Sequence, residues 1–407
     1  MSDGQRISYP RPMRPLLLAL CLAGALLAAS PATAGTGAAT PFATLSLSKD
    51  RVAYGGLVVA SGTVVPAVAG LEVVLELDAG ESWSQVARTT TAADGSFGVP
   101  FKATAAGVLT AHVPGTEIAS EAVPLSVTPR VRVRPGDGVA FVGGTVLATV
   151  EPASYSGRIW ITVAGPAGAL ERVSAGVEGG KLRARVPAPG PGRLRVTLSF
   201  PSTASLDGLE RTTRLTARAR PLSVGTTGPD VRALARRLAE LRFRVPGSSA
   251  SFGWELYDSV IAFQKAHGLS RTGTVDTGTW RALARARPLR PRHRGPARHI
   301  EVDKTRQILL VVERGTVVAV LPVSSGATGN TPEGRHRIRW KAPSTTTWLG
   351  SGILYRTLTF SGNSFAIHGW PDVPAYPASH GCVRIPIWTA DWLYDRSPVG
   401  ETVYVYR

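Results

Sequence analysis

Cys382 stands among residues that could make it a nucleophile. Upstream lies Ile367-His368-Gly369-Trp370-Pro371, and around the thiol lies Ser379-His380-Gly381-Cys382-Val383-Arg384. A cysteine that attacks a carbonyl needs a base for its proton, donors for the developing oxyanion and a fixed backbone. His368 can supply the base. The N–H groups of Gly381 and Cys382 can supply the donors, and Gly369 and Gly381 let backbone approach a substrate closely. If Ser379 to Arg384 is extended, His380, Cys382 and Arg384 point to one face. Two blander readings use the same residues: a small buried hydrophobe, or two histidines and a cysteine on zinc. Neither a second nearby cysteine nor a His-x-x-x-His or Cys-x-x-Cys pairing accompanies the cluster, which argues against zinc.

These residues need rigid elements beneath them. Residues 298–407 are rich in strand patterns: 300–303, 307–312 and 316–320 alternate or run apolar between turns. A short helix is expected near 388–394. Trp340, Trp348, Tyr355 and Trp370 lie around the proposed site in sequence, and Tyr355, ahead of the strand leading to His368, is the preferred groove residue.

The two blocks, with Pro322-Val323-Ser324-Ser325-Gly326 and Thr331-Pro332-Glu333-Gly334 before them, resemble the L,D-transpeptidase (YkuD-type) family. That resemblance implies a β-rich sandwich or barrel, with His368 as general base, Cys382 as nucleophile and His380 as a second active-site histidine. It implies a thioester with a peptidoglycan stem peptide, release of D-alanine, a 3→3 cross-link, inactivation by carbapenems, and no metal or organic cofactor. Arg384, Ser379, Tyr355 and Gly369 are the substrate-binding candidates. Arg384 occupies a place where many members carry asparagine. An L,D-carboxypeptidase would use the same residues with water as acceptor, and a non-catalytic wall-binding scaffold is the reading from another class.

Residues 221–287 change to helical spacing, with Val231, Leu234, Leu238 and Leu241 on one stripe. Phe263-Gln264-Lys265, Gly268-Leu269, Gly273-x-Val275-Asp276 and Thr279-Trp280 resemble the peptidoglycan-binding type 1 module, which implies a small three-helix bundle. Arginines interleaved with proline then make a basic linker at 288–297, read as a stiff solvated tether with attraction to anionic wall polymers.

Ahead of the module, short alternating runs punctuated by Gly and Pro predict two immunoglobulin-like β-sandwiches, 41–129 and 130–220. Residues 107–111 echo 192–196. Asp94-Gly95 reads as a hairpin turn, and Trp83 and Trp160 as core or turn anchors. The layout is similar to that of some actinobacterial L,D-transpeptidases.

The 407 residues carry a formal charge of +18, which favours acidic partners. Arg6, Arg11 and Arg14 precede an apolar run from 16 to 29, and Ala32-Thr33-Ala34 offers a cleavage site, so 1–34 reads as a secretory signal. Export removes nucleic acid from the partner classes and leaves peptidoglycan stem peptides and glycan. Cys21 follows Leu20, unlike a lipidation site, so cleavage would leave Cys382 alone. Membrane attachment would require an uncleaved signal. The expected product is a mainly β, multidomain, secreted wall enzyme.

Overall fold

The computed structural model describes residues 40–407 except 81, 166, 167, 169, 248, 249, 347–351 and 363. The expected leader and Trp348 lie outside the described residues.

The first unit comprises β1 (Phe42–Ala43), β2 (Ser46–Leu47), β3 (Arg51–Ala53), β4 (Gly56–Val65), β5 (Glu72–Asp78), β6 (Trp83–Thr90), β7 (Ser96–Ala103), β8 (Gly107–His112) and β9 (Val123–Thr128). One sheet places β4 among β1, β2 and β7, and the other runs β3-β9-β8-β5-β6. Period-2 burial faces Val58, Ala60 and Phe97 from one sheet toward Leu75, Leu109 and Leu125 from the other. Asp94-Gly95 does not close a hairpin. β6 pairs with β5 and β7 with β4, so this turn crosses between the sheets, with Gly95 at φ 77° and its carbonyl accepting from Val64 N–H.

The second unit comprises β10 (Arg130–Val139), β11 (Gly143–Glu151), β12 (Gly157–Ala164), β13 (Leu170–Glu178), β14 (Lys181–Val186), β15 (Gly192–Phe200) and β16 (Leu209–Arg218). Its two layers join at both edges, through a short β13–β14 pairing and a parallel β10–β16 pairing, so the sandwich closes as a barrel. The echoed segments fall in β8 and β15, which each sit between the same kinds of neighbour. Trp83 and Trp160 are not core anchors. Both are about half exposed, and Trp160 lies under the Arg172 guanidinium at 4.2 Å. Period 2 explains this: the buried neighbours Ile159 and Ile161 leave Trp160 on the outer face.

Three helices follow: α1 (Pro229–Glu240), α2 (Trp254–Ala266) and α3 (Thr277–Arg285). Pro229 opens α1 where its missing N–H is no loss. Asp276 caps α3, accepting from Thr279 N–H at 2.7 Å.

The last unit has one sheet of β17 (Arg298–Asp303), β18 (Ile308–Glu313), β19 (Thr316–Pro322), β20 (Gly334–Arg337) and the terminal strand, in order β19-β18-β17-terminal-β20. The second sheet is β21 (Trp340–Thr346), β22 (Ile353–Ser361), β23 (Phe365–Trp370) and β24 (Val383–Pro386) in sequence order, followed by α4 (Ile387–Arg396) and then the first sheet's terminal strand, β25 (Thr402–Tyr406). Ile300, Val302, Leu358, Ile367, Val383, Ile385 and Val403 fill the space between the sheets.

The helical module does not hang on a free tether. β18 and β19 are apolar on both faces, and the outer face carries Ile308, Leu310, Val312, Val317 and Val320 into one core with Leu238, Val260 and Phe263 of the module. β19 is an edge strand, and residues 242–244 cover it: Val320 N–H donates to Arg242 O at 2.8 Å and Arg244 N–H to Val320 O at 3.0 Å. The linker is likewise pinned. Arg292 lies over Tyr406 at 4.5 Å, His293 stacks on Tyr404 at 3.8 Å, and both backbone N–H groups donate to the buried Glu301 carboxylate. Charge and proline content suggest solvation, but they do not reveal that this buried acid and the two tyrosines lie alongside.

Deletion of residues 222–283 therefore strips the outer face of β18 and β19. Exposing five aliphatic side chains at about 1.5–3 kcal/mol each rivals a domain's entire stability. The truncated chain should be insoluble or melt at least ~10 °C lower by thermal unfolding; a soluble fragment with the parent melting temperature would contradict the shared core.

Candidate active site

β23 and β24 run parallel, with Ile367 opposite Val383, His368 opposite Arg384 and Gly369 opposite Ile385. Partners in register point to the same face. Ile367, Val383 and Ile385 enter the core, so His368 and Arg384 occupy the other face. Cys382 immediately precedes β24, two residues before Arg384, with its Sγ 3.7 Å from Ser364 O ahead of β23.

His368 is buried, and its Nδ1 is 3.1 Å from Gly369 O. A carbonyl only accepts, so Nδ1 carries the proton and Nε2 keeps its lone pair. Burial pushes the imidazolium down to about 4; the Gly369 bond opposes this and the Arg384 charge assists it. Burial raises the Cys382 thiol above its usual value, against the smaller lowering effects of the Ala366 backbone and Arg384. The two shifts make His368 and Cys382 a neutral imidazole and a neutral thiol near pH 7, not a preformed ion pair. Trp370 organises the surrounding charge, with its ring edge-on to His368 at 5.6 Å and the Arg384 guanidinium 5.1 Å over it.

The turn before β24 is built from internal bonds. The Ser379 hydroxyl donates to Cys382 O at 2.5 Å and accepts from Gly381 N–H at 3.0 Å. Thr331 Oγ1 donates to Gly381 O, and Asn330 Nδ2 donates to His380 O. The Ala378 and Ser379 N–H groups both donate to Ser325 O at 3.0 Å, while Ser324 and Arg384 exchange backbone bonds. The Ser-Ser-Gly and Thr-Pro segments noted in the sequence therefore frame the cysteine turn.

Several expected roles change. Ser379 is buried and holds the turn rather than facing a groove. Gly381 N–H is committed to Ser379, which leaves Cys382 N–H as the expected donor without an internal bond among the described residues. Gly381 has φ +135°, where a side chain is strained and a Cβ would meet Phe365 at 2.7 Å. That turn interrupts the extended run expected from Ser379, so the strand begins at Val383, and His380 is exposed rather than aligned by strand alternation. At Gly369 a Cβ would meet Ala390 of α4 at 2.7 Å, so helix packing, not substrate approach, demands glycine there. Tyr355 sits opposite Gly369 and donates its hydroxyl to Asp391 of α4 at 2.9 Å. Trp340 is half-buried on β21. Sequence reasoning passed over Asn330, Thr331, Ser324 and Ser325 as individual roles; the two family-like segments were the available signal.

Residues 297–405 match the model described as the L,D-transpeptidase catalytic domain, and 227–283 match a model for peptidoglycan binding domains. Among solved structures, an L,D-transpeptidase from Xylanimonas cellulosilytica (its residues 123–326) is 36% identical, covering 98% of that chain and 46% of this one, with a TM-score of 0.44. The chain belongs to the L,D-transpeptidase family. An L,D-transpeptidase from Mycobacterium smegmatis is 14% identical, covering 99% of that chain and 69% of this one, with a TM-score of 0.26. No curated protein matches. Within this L,D-transpeptidase, the helical segment that packs on β18 and β19 falls in the peptidoglycan-binding match.

Gly369→Ala should test the α4 contact. The added methyl must displace Ala390, at a cost of about 1–3 kcal/mol. Thermal unfolding should show that loss; an unchanged melting temperature would mean that α4 yields freely.

Proposed function

We propose that this protein is an exported cysteine L,D-transpeptidase that forms 3→3 peptidoglycan cross-links through a thioester on Cys382. The carrying observation is the parallel β23–β24 register, which sets His368 beside Arg384, two residues from Cys382, while Gly369 O holds the His368 proton on Nδ1. His368 Nε2 takes the thiol proton as sulfur attacks the carbonyl of the third residue of a tetrapeptide stem. The Cys382 N–H supports the oxyanion. The proton passes from His368 to the departing D-alanine nitrogen and leaves a thioester. A side-chain amine of a second stem attacks that carbonyl, its proton goes to His368, and the thiol is restored. Arg384 lies on the same face as a cation for a stem carboxylate. The leader-like N-terminus supports export, the helical module supports a place on the wall, and the basic surface supports attraction to anionic wall polymers.

The test is to incubate the mature protein with disaccharide-tetrapeptide and follow the products by mass spectrometry. Dimer with loss of D-alanine, and a thioester adduct on Cys382, are expected. Cys382→Ala should give neither. Turnover by that variant would sink the mechanism, and trimmed monomer alone would make water the acceptor.

The neutral pair sets the pH profile. With His368 depressed to about 4, the base is competent well below the usual histidine range. kcat/KM of the free enzyme should fall on the acid side near 4, not near the unperturbed ~6.5. The fraction of His368 protonated only in the unfolded chain also makes stability rise with pH between those values. An acid limb at ~6.5 would show that His368 titrates as an ordinary exposed imidazole.

A further inference from the structure

α2 of the helical module sends Lys265 out of its own bundle. The residue is 1% exposed, and its hydrogen-bond partners among the described residues are carbonyls rather than carboxylates. Its ammonium donates to Val323 O at 2.8 Å and approaches Pro374 O at 3.4 Å. Arg271, just beyond α2, donates to Ala375 O at 2.7 Å. On the same helix Asp258 accepts from Trp388 Nε1 of α4 at 3.0 Å. Burying a cation is costly unless it is paired and hydrogen-bonded, and lysine is almost never fully buried without a partner. Burial lowers Lys265 to about 7, with Arg271 adding to the lowering and Asp258 opposing it.

The carbonyls it holds are not arbitrary. Ser324, next to Val323, donates its hydroxyl to Tyr376 O, accepts from Ala378 N–H and exchanges backbone bonds with Arg384. Ser325 O receives Ala378 and Ser379 N–H, and Ser379 closes the turn on Cys382 O. A continuous set of bonds thus runs from α2 to the backbone of the cysteine.

We propose that Lys265 and Arg271 are positioning residues through which the peptidoglycan-binding module sets the geometry of the Ser379–Cys382 turn for acyl transfer. The proposal rests on the assignment of Cys382 as nucleophile. Acylation of sulfur by a carbonyl needs the turn to aim both Sγ and the Cys382 N–H, because negative charge develops on oxygen. Alkylation by iodoacetamide needs only an accessible thiolate. Loosening the turn should separate the two rates.

The experiment uses the full mature chain, a carbapenem as acylating probe read by intact mass, and iodoacetamide as alkylating probe, with melting temperatures alongside. Lys265→Met and Arg271→Gln should each slow acylation about tenfold, the scale of one lost charge-assisted hydrogen bond, while alkylation changes less than about twofold. Arg271 is exposed, so its variant folds even if Lys265→Met does not, and it then decides alone. Acylation within about twofold of the parent in the folded variants, or a parallel change in both rates, would overturn the proposal. A parent chain that is not acylated on Cys382 would instead refute the nucleophile assignment and the proposal with it.

Discussion

The parallel pairing of β23 with β24 is the constraint on which the site depends. It joins two segments that are separate in sequence, and it does so with alternate residues in the core. Ile367, Val383 and Ile385 are essentially inaccessible to solvent. A slip of one residue would put those side chains in the open face and His368 in the core, so hydrophobic burial fixes the catalytic register. Parallel strands need a crossover, and the connection between Trp370 and Val383 supplies it without a helix. That connection must therefore be organised by side chains and by neighbouring segments.

This explains why the turn consumes so many polar groups. Ser379 and Gly381 of this connection are buried, and buried N–H and C=O groups cannot be left unpaired. Ser379 satisfies one of each, Thr331 and Asn330 take two carbonyls, and Ser325 O takes two amides. The segments that supply these groups extend from β19, whose outer face belongs to the core shared with the helical module. The module thus stabilises the sheet whose extension shapes the turn. A recognition module and a catalytic unit with separate cores could be exchanged freely; these two share apolar surface, a covered strand edge and a buried cation.

Much of this was legible in the sequence because the signals were local. Helical spacing located α1, α2 and α3, strand alternation located β17, β18 and β19, and the residues around Cys382 marked the chemistry. What was not legible depended on partners distant in sequence. The tether reading of 288–297 failed because Glu301, Tyr404 and Tyr406 lie against it. Asp94-Gly95 has hairpin composition, but sheet assignment of its flanking strands is a tertiary fact. Glycine is equally ambiguous: Gly369 looks like room for substrate, whereas Ala390 occupies the space. Serine at 379 looks like a ligand for substrate until its burial is known.

The electrostatics complete the picture. Arg384 acts on both His368 and Cys382 from one position, disfavouring imidazolium at the first and favouring thiolate at the second. A positive charge that only activated the thiol would leave the proton stranded on a histidine that resists it. In the proposed mechanism that resistance is useful, because a His368 that holds the proton weakly can pass it to a departing amine. Burial supplies the other half by raising the Cys382 thiol, which in the proposed mechanism stays protonated until a carbonyl arrives to accept the charge. Trp370 contacts both Arg384 and His368 through its ring, so the cation and the base are held against a common rigid surface. In the proposed mechanism this arrangement would place negative charge on the substrate oxygen and only transiently on sulfur, which is the condition for a nucleophile that must leave again when an acceptor amine attacks.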